Sequence, residues 1–529
     1  MNIQQLIAPE QYNLTQEIEQ FVSDKIALKW MDEEGLYEEI TYAQLIRKAN
    51  QLANALTKLG LTKGDRVLVM MPRLIFSYVV YLATLKAGLV IIPSSEMLRA
   101  KDISYRIQHS EAKAILAYSE FYTEIDAITD PIPSLEHKLS YGKGVSGWLS
   151  AESLMKEQSD IFATVQTSKD DLAFLSYTSG TTGFPKGVMH SHGWAYAHLR
   201  IASDLWLDIH ENDLVWATAG PGWQKWVWSP FLSILGKGAT GFVYHGRFEP
   251  HKYLTLLQGH DVNVLCCTPT EYRLMAKVNG LNQYQLPHLR SAVSAGEPLN
   301  REVIDVFRSH FHIEVRDGYG QTEATLLVGT LKDMLVKPGS MGKPTVNNSV
   351  EIINEKGEPV SAGEEGDIAV HRDLSALFKG YYKDQEKTLS AFRGDFYITG
   401  DRAKKDKDGY YWFEGRRDDI IISSGYTIGP FEVEDALMKH SAVKECAVVA
   451  SPDEIRGHVV KAFIILKDEF TGDEHLEHEL KEHVKKLTAP YKYPRRIEFV
   501  QDLPKTNSGK IRRVELRELE EMKYKGLQV

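Results

Sequence analysis

ITYAQLIRKANQLANALTKLGLTKGDRVLVMMP, residues 40–72, contains the change of period that decides the fold. Leu45, Ala49, Leu52 and Leu56 recur at helical spacing and lay one apolar stripe along a helix. A glycine turn follows, and then Val67 to Met71 form a nearly continuous apolar run. A run without alternation reads as a strand covered on both faces, as in a parallel sheet. The theme repeats outward. GLVIIPSS (88–95) and AKAILAYS (112–119) read as further buried strands, with helical patterns between them. VNVLCCTP (262–269), LRSAVSAGEPL (289–299) and HIEVRDGYG (312–320) are short apolar runs that end in polar loops, two of them glycine-bearing. Alternating helices and strands predict an α/β lobe with a largely parallel sheet. In such sheets ligands sit beyond the carboxyl ends of the strands.

From about Gly339 the texture changes. VEIINEKGEPVSAGEEGDIAV (350–370) and KDGYYWFEGRRDD (407–419) are short strands with glycine turns and predict a β-rich subdomain. Beyond them, GPFEVEDALMKHSAVKECAVVASPD (429–453) reads as helix then strand, and HLEHELKEHVKKL (475–487) as an amphipathic helix. The predicted fold class is therefore α/β. A large N-terminal lobe of α/β layers plus the β-rich subdomain is expected over 1–417, and a small α+β domain over 418–529.

The chain has 529 residues, 43% hydrophobic and 25% charged, in the range of a globular enzyme. Its net charge of −10 argues against a nucleic-acid partner, because a phosphate backbone needs a basic face. Its cysteines, Cys266, Cys267 and Cys446, show neither metal-ligand nor disulfide spacing, which fits a reducing, cytoplasmic setting. The first twenty residues are rich in polar side chains and carry only acidic charges, so no secretory leader is expected, and no run reaches the roughly 20 apolar residues of a membrane span.

SYTSGTTGFPKG (176–187) follows the apolar run Leu172–Leu175. Gly180 and Lys186 have Walker-loop spacing, but Pro185 and Gly187 break that pattern, which excludes an ordinary P-loop. The chemistry still points to phosphate. Gly180 and Gly183 let backbone N–H groups converge on an anion. Thr178, Ser179, Thr181 and Thr182 add hydroxyls, and Lys186 adds a charge.

The string YTSGTTGFPKGV (177–188) resembles the signature loop of the adenylate-forming superfamily. SAGEPL (294–299), DGYGQTEA (317–324), YITGD (397–401), GRRDDIIISSGYTIGPFEVE (415–434) and LPKTNSGKIRR (503–513) resemble its remaining motifs, in order and over nearly the whole chain. SSGY (423–426), SPDEIRGHVVKAF (451–463) and APYKYPRRIEFV (489–500) resemble the medium-chain acyl-CoA synthetase branch. The resemblance implies that ATP, a small carboxylic acid and coenzyme A give acyl-CoA, AMP and pyrophosphate through an acyl-adenylate.

It also implies roles. Thr178, Ser179, Gly180, Thr181, Thr182, Gly183 and Lys186 would cradle the β- and γ-phosphates. Thr322 would donate to the α-phosphate, and Glu323 would hold Mg²⁺. Gly296, Glu297 and Pro298 would edge the adenine, with Tyr319 stacked on it within the loop Asp317, Gly318, Tyr319, Gly320 and Gln321. Asp401 would accept from the ribose diol, and Arg416 would contact ribose and phosphate. Lys510 would be the lysine that joins carboxylate to phosphate, delivered and withdrawn by rotation about a hinge at Asp418. Ser424, Gly425, Tyr426, Arg456, Tyr493, Pro494 and Arg495 match coenzyme A positions.

One departure stands out: Thr427 occupies a place where relatives carry Arg, with Arg417 the candidate to compensate. For the acyl pocket, Ala295, Trp223 and Gly320 are the candidates. Gly320 stands where acetate-specific relatives carry Trp, which predicts an open pocket floor. Trp223, Trp226 and Trp228 either refill that volume, favouring short or branched acids, or are core aromatics. His475, His478 and His483 are read as a solvated helix face, and His190 and His192 as structural. Two other readings stay open: an adenylation enzyme that loads a carrier protein, and a degenerate nucleotide-binding regulator.

Overall fold

The computed structural model describes residues 1–178, 185–297, 299–416, 419–423, 426–453, 456–488, 491–505 and 511–526. The first predicted helix spans Tyr42–Lys58. The Thr41 hydroxyl accepts from the Gln44 N–H, and the Gln44 side chain accepts from the Thr41 N–H. This reciprocal pair satisfies two donors that a helix start leaves over. Leu45, Ala49, Leu52 and Leu56 are all buried on its inner face. The apolar run after it is the strand Arg66–Met70, parallel to both Val90–Pro93 and Ala114–Tyr118.

Among the described residues the strands form four sheets. A seven-stranded sheet runs in the order Leu149–Ser150, His137–Tyr141, Ala114–Tyr118, Arg66–Met70, Val90–Pro93, Leu172–Thr178 and Lys186–Ser191. All its pairings are parallel except the last, the hairpin in which Thr178 faces Lys186. A nine-stranded sheet has at its centre Leu214–Ala217, Val264–Cys267, Ser291–Ala295 and Val315–Gly320, again parallel. In the helix Ile75–Lys86 every residue from Phe76 to Lys86 is buried. A helix enclosed all round belongs inside a core.

The predicted β-rich part is a five-stranded antiparallel sheet that includes Glu365–His371, Phe396–Lys405 and Tyr411–Arg416. The last sheet pairs Val443–Asp453 with Gly457–Leu466, backed by the helices Pro430–Met438, Glu474–Leu487 and Arg513–Tyr524. The protein is thus a mixed α/β molecule with a large N-terminal part and a smaller C-terminal one. No helix among the described residues is long and apolar enough to cross a membrane.

The small part begins hard against the large one. A side chain on Gly429 would come within 2.2 Å of the Glu414 carbonyl oxygen. Phe431 meets Phe413 edge-on at 5.0 Å, and Arg513 lies 4.2 Å over the Phe431 ring. Arg513 holds the buried Glu434 carboxylate with contacts of 2.7–3.2 Å, and the Val448 N–H donates to the same group at 2.7 Å. One turn further along its helix, Arg517 pairs with Asp419.

The helix Glu474–Leu487 buries Leu476, Leu480 and Val484, as its stripe requires. His475 and His478 are exposed as expected, but His483 is not on the wet face. It packs edge-on against His440 at 5.0 Å and hydrogen-bonds the Ala436 carbonyl at 3.1 Å. The helix Pro430–Met438 covers that side, so the polar run hides one contact residue.

Candidate active site

Many of the candidate side chains within the described residues lie at the ends of the strands Leu172–Thr178, Ser291–Ala295 and Val315–Gly320 and on the hairpin strand beginning at Lys186. Ser179, Gly180, Thr181, Thr182, Gly183, Pro298, Asp418, Ser424, Gly425 and Lys510 lie outside the described residues, as does Arg417. For Tyr426 and Thr427 only the strand Tyr426–Ile428 is described.

Lys186 is half-buried, and burial holds its ammonium below the usual lysine range while the Glu323 carboxylate pulls the other way. Its Nζ sits 4.9 Å over the ring of Tyr381, whose hydroxyl donates to Glu323 Oε1 at 3.0 Å. Tyr381 therefore stands between the cation and the carboxylate, a role that the loop motifs did not disclose. Its segment arrives by backbone pairing. The Tyr382 N–H donates to the Gly187 carbonyl and the Lys379 N–H to that of Met189, while the Phe378 N–H donates to the Glu323 carbonyl at 2.7 Å. His190 Nε2 bonds the Thr322 carbonyl. Burial pushes that imidazole down to about 4, so it is neutral and a fixed donor at neutral pH.

Asp401 is buried in the antiparallel sheet, beside the ends of the parallel strands. Its Oδ2 accepts from the Tyr319 hydroxyl at 2.5 Å and from Gln321 Nε2 at 2.6 Å, and Arg416 Nε approaches Oδ1 at 3.7 Å. Gln321 is held in turn by the Tyr397 hydroxyl at 3.1 Å. Four residues expected at the nucleotide thus form one network, with Tyr397 a further member. A carboxylate has about four acceptor directions, and Tyr319 and Gln321 share one oxygen, which aims the group.

Asp317 does different work from its neighbours. It is buried and accepts from the Gly318 N–H at 2.8 Å and the Leu299 N–H at 3.4 Å. It thereby ties the strand end to the loop of Gly296 and Glu297 from beneath. Burial pushes its carboxyl up to about 7. An ordinary Asp titrates near 3.9. The folded state therefore holds the proton more tightly, and this group's stabilising contribution, complete below about 4, is lost as pH rises through 7. Asp317→Asn is expected to shrink the fall in melting temperature between pH 5 and pH 8, measured by calorimetry. An unchanged fall would contradict the assignment.

Gly296 has φ 111°, a conformation that favours glycine, and it turns the chain sharply after Ala295. Glu297 accepts from the Thr270 hydroxyl at 3.1 Å and faces Arg273 at 3.5 Å. Gly320 has a nearer cause than pocket room. A Cβ there would lie 2.1 Å from the Thr325 carbonyl oxygen. Any side chain would push the backbone that carries Thr322 and Glu323, so the glycine is not by itself a measure of chain length. Gly320→Ala is expected to cut turnover at least about tenfold and to lower stability by 1–3 kcal/mol, typical of overpacking. Wild-type turnover with an unshifted melt would refute this.

The three tryptophans divide. Trp226 is a core residue, wedged against Tyr78, Tyr81 and Phe231. Trp223 is half-buried, and Trp228 is largely buried beside Trp194 and His198. On the small part, Arg456 is exposed and its N–H donates to Asp453 at 3.1 Å. Arg495 bonds the Tyr493 hydroxyl at 2.5 Å, Lys485 lies 4.3 Å over the same ring, and Pro494 is buried between. Lys505 and Ile511, which flank Lys510, bridge to each other, and Lys505 pairs with Glu445 at 2.8 Å.

The family described as AMP-binding enzyme matches residues 14–382, and the AMP-binding enzyme C-terminal domain matches 432–510. The chain belongs to the AMP-binding enzymes, the adenylate-forming superfamily. Within that superfamily it falls in the medium-chain acyl-CoA synthetase branch. It is 61% identical over 518 residues to "Uncharacterized acyl--CoA ligase YtcI" of Bacillus subtilis (strain 168), covering 98% of this chain and 97% of that one. It is 42% identical to mitochondrial acyl-coenzyme A synthetase ACSM3 of Mus musculus, over 93% of this chain and 86% of that one. Among solved structures, the anthranilate CoA ligase AuaEII in complex with anthranoyl-AMP superimposes with a TM-score of 0.91 at 29% identity, covering 98% and 99% of the two chains. A benzoate CoA ligase from Burkholderia xenovorans LB400 gives 0.85 at 30% identity, covering 96% and 100%.

Proposed function

We propose that this enzyme activates short- to medium-chain carboxylic acids, straight or branched, with the residues gathered above as its machinery. It is an AMP-forming acyl-CoA synthetase, an acid–thiol ligase that uses ATP and coenzyme A. In the first step a carboxylate oxygen attacks the α-phosphorus and pyrophosphate leaves. In the second the coenzyme A sulfur attacks the acyl carbonyl and AMP leaves, carrying one oxygen of the original acid.

The observation that carries the residue roles is the convergence of Lys186, Glu323, Asp401 and Arg416 on one set of strand ends, joined through Tyr381, Tyr319 and Gln321. Both reactants of the first step are anions, and charge grows on the leaving pyrophosphate. Fixed cations and donors aimed there lower the barrier. Lys186 and the hydroxyls around it would take the terminal phosphates, and Thr322 the α-phosphate. Asp401 and Arg416 would hold the ribose, and Lys510 would bridge carboxylate and phosphate.

Magnesium suits this donor set. Among the described residues no three His, Cys, Asp or Glu side chains group as a metal cage. Mg²⁺ instead takes one or two carboxylates plus substrate phosphates and water, which matches a single Glu323 oriented by Tyr381. The ion would supply charge neutralisation on the pyrophosphate.

The small part would turn about Asp418 between the two steps, and Ser424, Gly425, Tyr426, Arg456, Tyr493, Pro494 and Arg495 would receive coenzyme A. A cytoplasmic setting belongs to the same proposal, in keeping with three free, buried cysteines. Carboxylate-dependent exchange of pyrophosphate into ATP, with coenzyme A omitted, tests the reading across acids of two to ten carbons. Exchange with acids of about four to eight carbons is expected. Exchange with none of the panel would overturn it.

A further inference from the structure

Both ends of the candidate phosphate loop rest on one helix that lies outside the nucleotide network. Tyr177 stands one residue before Thr178, and Pro185 one residue before Lys186. The helix Ala100–Ser110 reaches both. The Tyr105 hydroxyl donates to the Pro185 carbonyl at 3.0 Å, and His109 Nδ1 shares a hydrogen bond of 2.8 Å with the Tyr177 hydroxyl. Tyr105 and His109 are four residues apart and so share a helix face. Their rings stack with centroids 5.4 Å apart and 13° between planes. The two grips fall on facing strands of one hairpin, in which Tyr177 pairs with Gly187 and Thr178 with Lys186.

The helix is a firm platform. Ile103 and Ile107 anchor it in the core, the Ala100 N–H donates to Glu124 at 3.1 Å, and the Ser104 hydroxyl donates to Asp130 at 3.1 Å. The Arg106 guanidinium lies 5.3 Å from the centroid of the Tyr177 ring and encloses it further. His109 also meets Tyr382 edge-on at 5.7 Å, and the Tyr382 N–H donates to the Gly187 carbonyl at 2.7 Å. Its neighbour Tyr381 is the residue that stands between Lys186 and Glu323. A Cβ on Gly187 would lie 3.0 Å from Leu175 and 3.3 Å from Tyr382. This packing accounts for the glycine that breaks the Walker pattern.

We propose that Tyr105 and His109 are positioning residues for ATP. They fix the two ends of the loop, so that Thr178 and Lys186 are in place before the terminal phosphates arrive. The inference rests on the acyl-CoA synthetase reading and extends it to a helix that none of the nucleotide motifs contains. A loop rich in glycine loses much backbone freedom when it closes on an anion. Pinning its ends beforehand lowers that cost at the moment of binding, which is how preorganisation raises affinity. Residues 179–184 lie outside the described residues, and the claim concerns the described pair Thr178 and Lys186.

The experiment is equilibrium binding of ATP with Mg²⁺, and separately of AMP, to the whole enzyme without acid or coenzyme A. AMP lacks the β- and γ-phosphates, so its affinity does not depend on the grip, whereas general damage to the fold weakens both nucleotides alike. In the double variant Tyr105→Phe/His109→Leu the ratio Kd(ATP)/Kd(AMP) is expected to rise at least about fivefold over wild type, in keeping with the loss of two hydrogen bonds. A smaller rise, equal weakening of both nucleotides included, overturns the proposal. Tyr105→Phe/His109→Asn, whose amide can still bond the Tyr177 hydroxyl, is expected to recover at least about half of that rise. A smaller recovery would assign the effect to ring packing and overturn the proposal too. If the double variant fails to fold, Tyr105→Phe alone decides, because it keeps the ring and removes one hydroxyl. A rise of about twofold or more then supports the proposal, and a smaller one overturns it. Wild-type enzyme that binds no ATP would instead defeat the acyl-CoA synthetase reading, so the two failures are distinguishable.

Discussion

Lys510→Ala is expected to slow formation of the acyl-adenylate by roughly 10²–10³-fold, the usual effect of removing one donor to developing transition-state charge. The same variant is expected to convert synthetic acyl-adenylate and coenzyme A to thioester at a rate within threefold of the parent. The split follows from the proposed division of labour, in which the terminal lysine acts only while carboxylate and phosphate are being joined. The described residues on either side of it are held by ion pairs. Lys505 is paired with Glu445, and the helix that follows is pinned by Arg513 to Glu434 and by Arg517 to Asp419, next to the proposed hinge. Under the proposal, rotation at Asp418 would carry Lys505 and that helix together. Equal losses in both half-reactions would place Lys510 in general architecture instead.

Asp401→Ala is expected to raise KM for ATP about 10–100-fold, since two charge-assisted hydrogen bonds at 1.5–3 kcal/mol each would be lost and incompletely replaced by water. A change this large has a bland rival, because Asp401 also accepts from Tyr319 and Gln321. Loss of that network would weaken binding of any nucleotide. Kinetics with 2′-deoxy-ATP separate the two. If Asp401 reads the ribose, the gap between variant and parent narrows several-fold with the deoxy substrate. An equal gap with both nucleotides would assign Asp401 to scaffolding.

Much of this was legible in the sequence, for physical reasons that differ by element. The strand Arg66–Met70 and the helix Tyr42–Lys58 announce themselves because burial imposes a period on them. The loop 176–187 shows the glycines and hydroxyls expected where a backbone must come close to an anion, although residues 179–184 lie outside the described residues. Tyr381 and Tyr397 carried no such mark. They reach the site from a segment that pairs with the strand Lys186–Ser191 and from the antiparallel sheet, and long-range pairing leaves no local pattern. Gly320 was legible as a glycine but not as to its cause, which is the Thr325 carbonyl across a bulged turn. His483 sat in a polar run, and only the facing helix reveals its buried contact.

The central claim is that a carboxylate oxygen attacks the α-phosphorus of ATP and stays with AMP. The most direct measurement is isotopic: the acid labelled with ¹⁸O in its carboxylate, ATP and coenzyme A are turned over together, and the phosphorus products are analysed by mass. One labelled oxygen in AMP for each thioester formed is the predicted result. Label in inorganic phosphate, with ADP as the nucleotide product, would contradict the account.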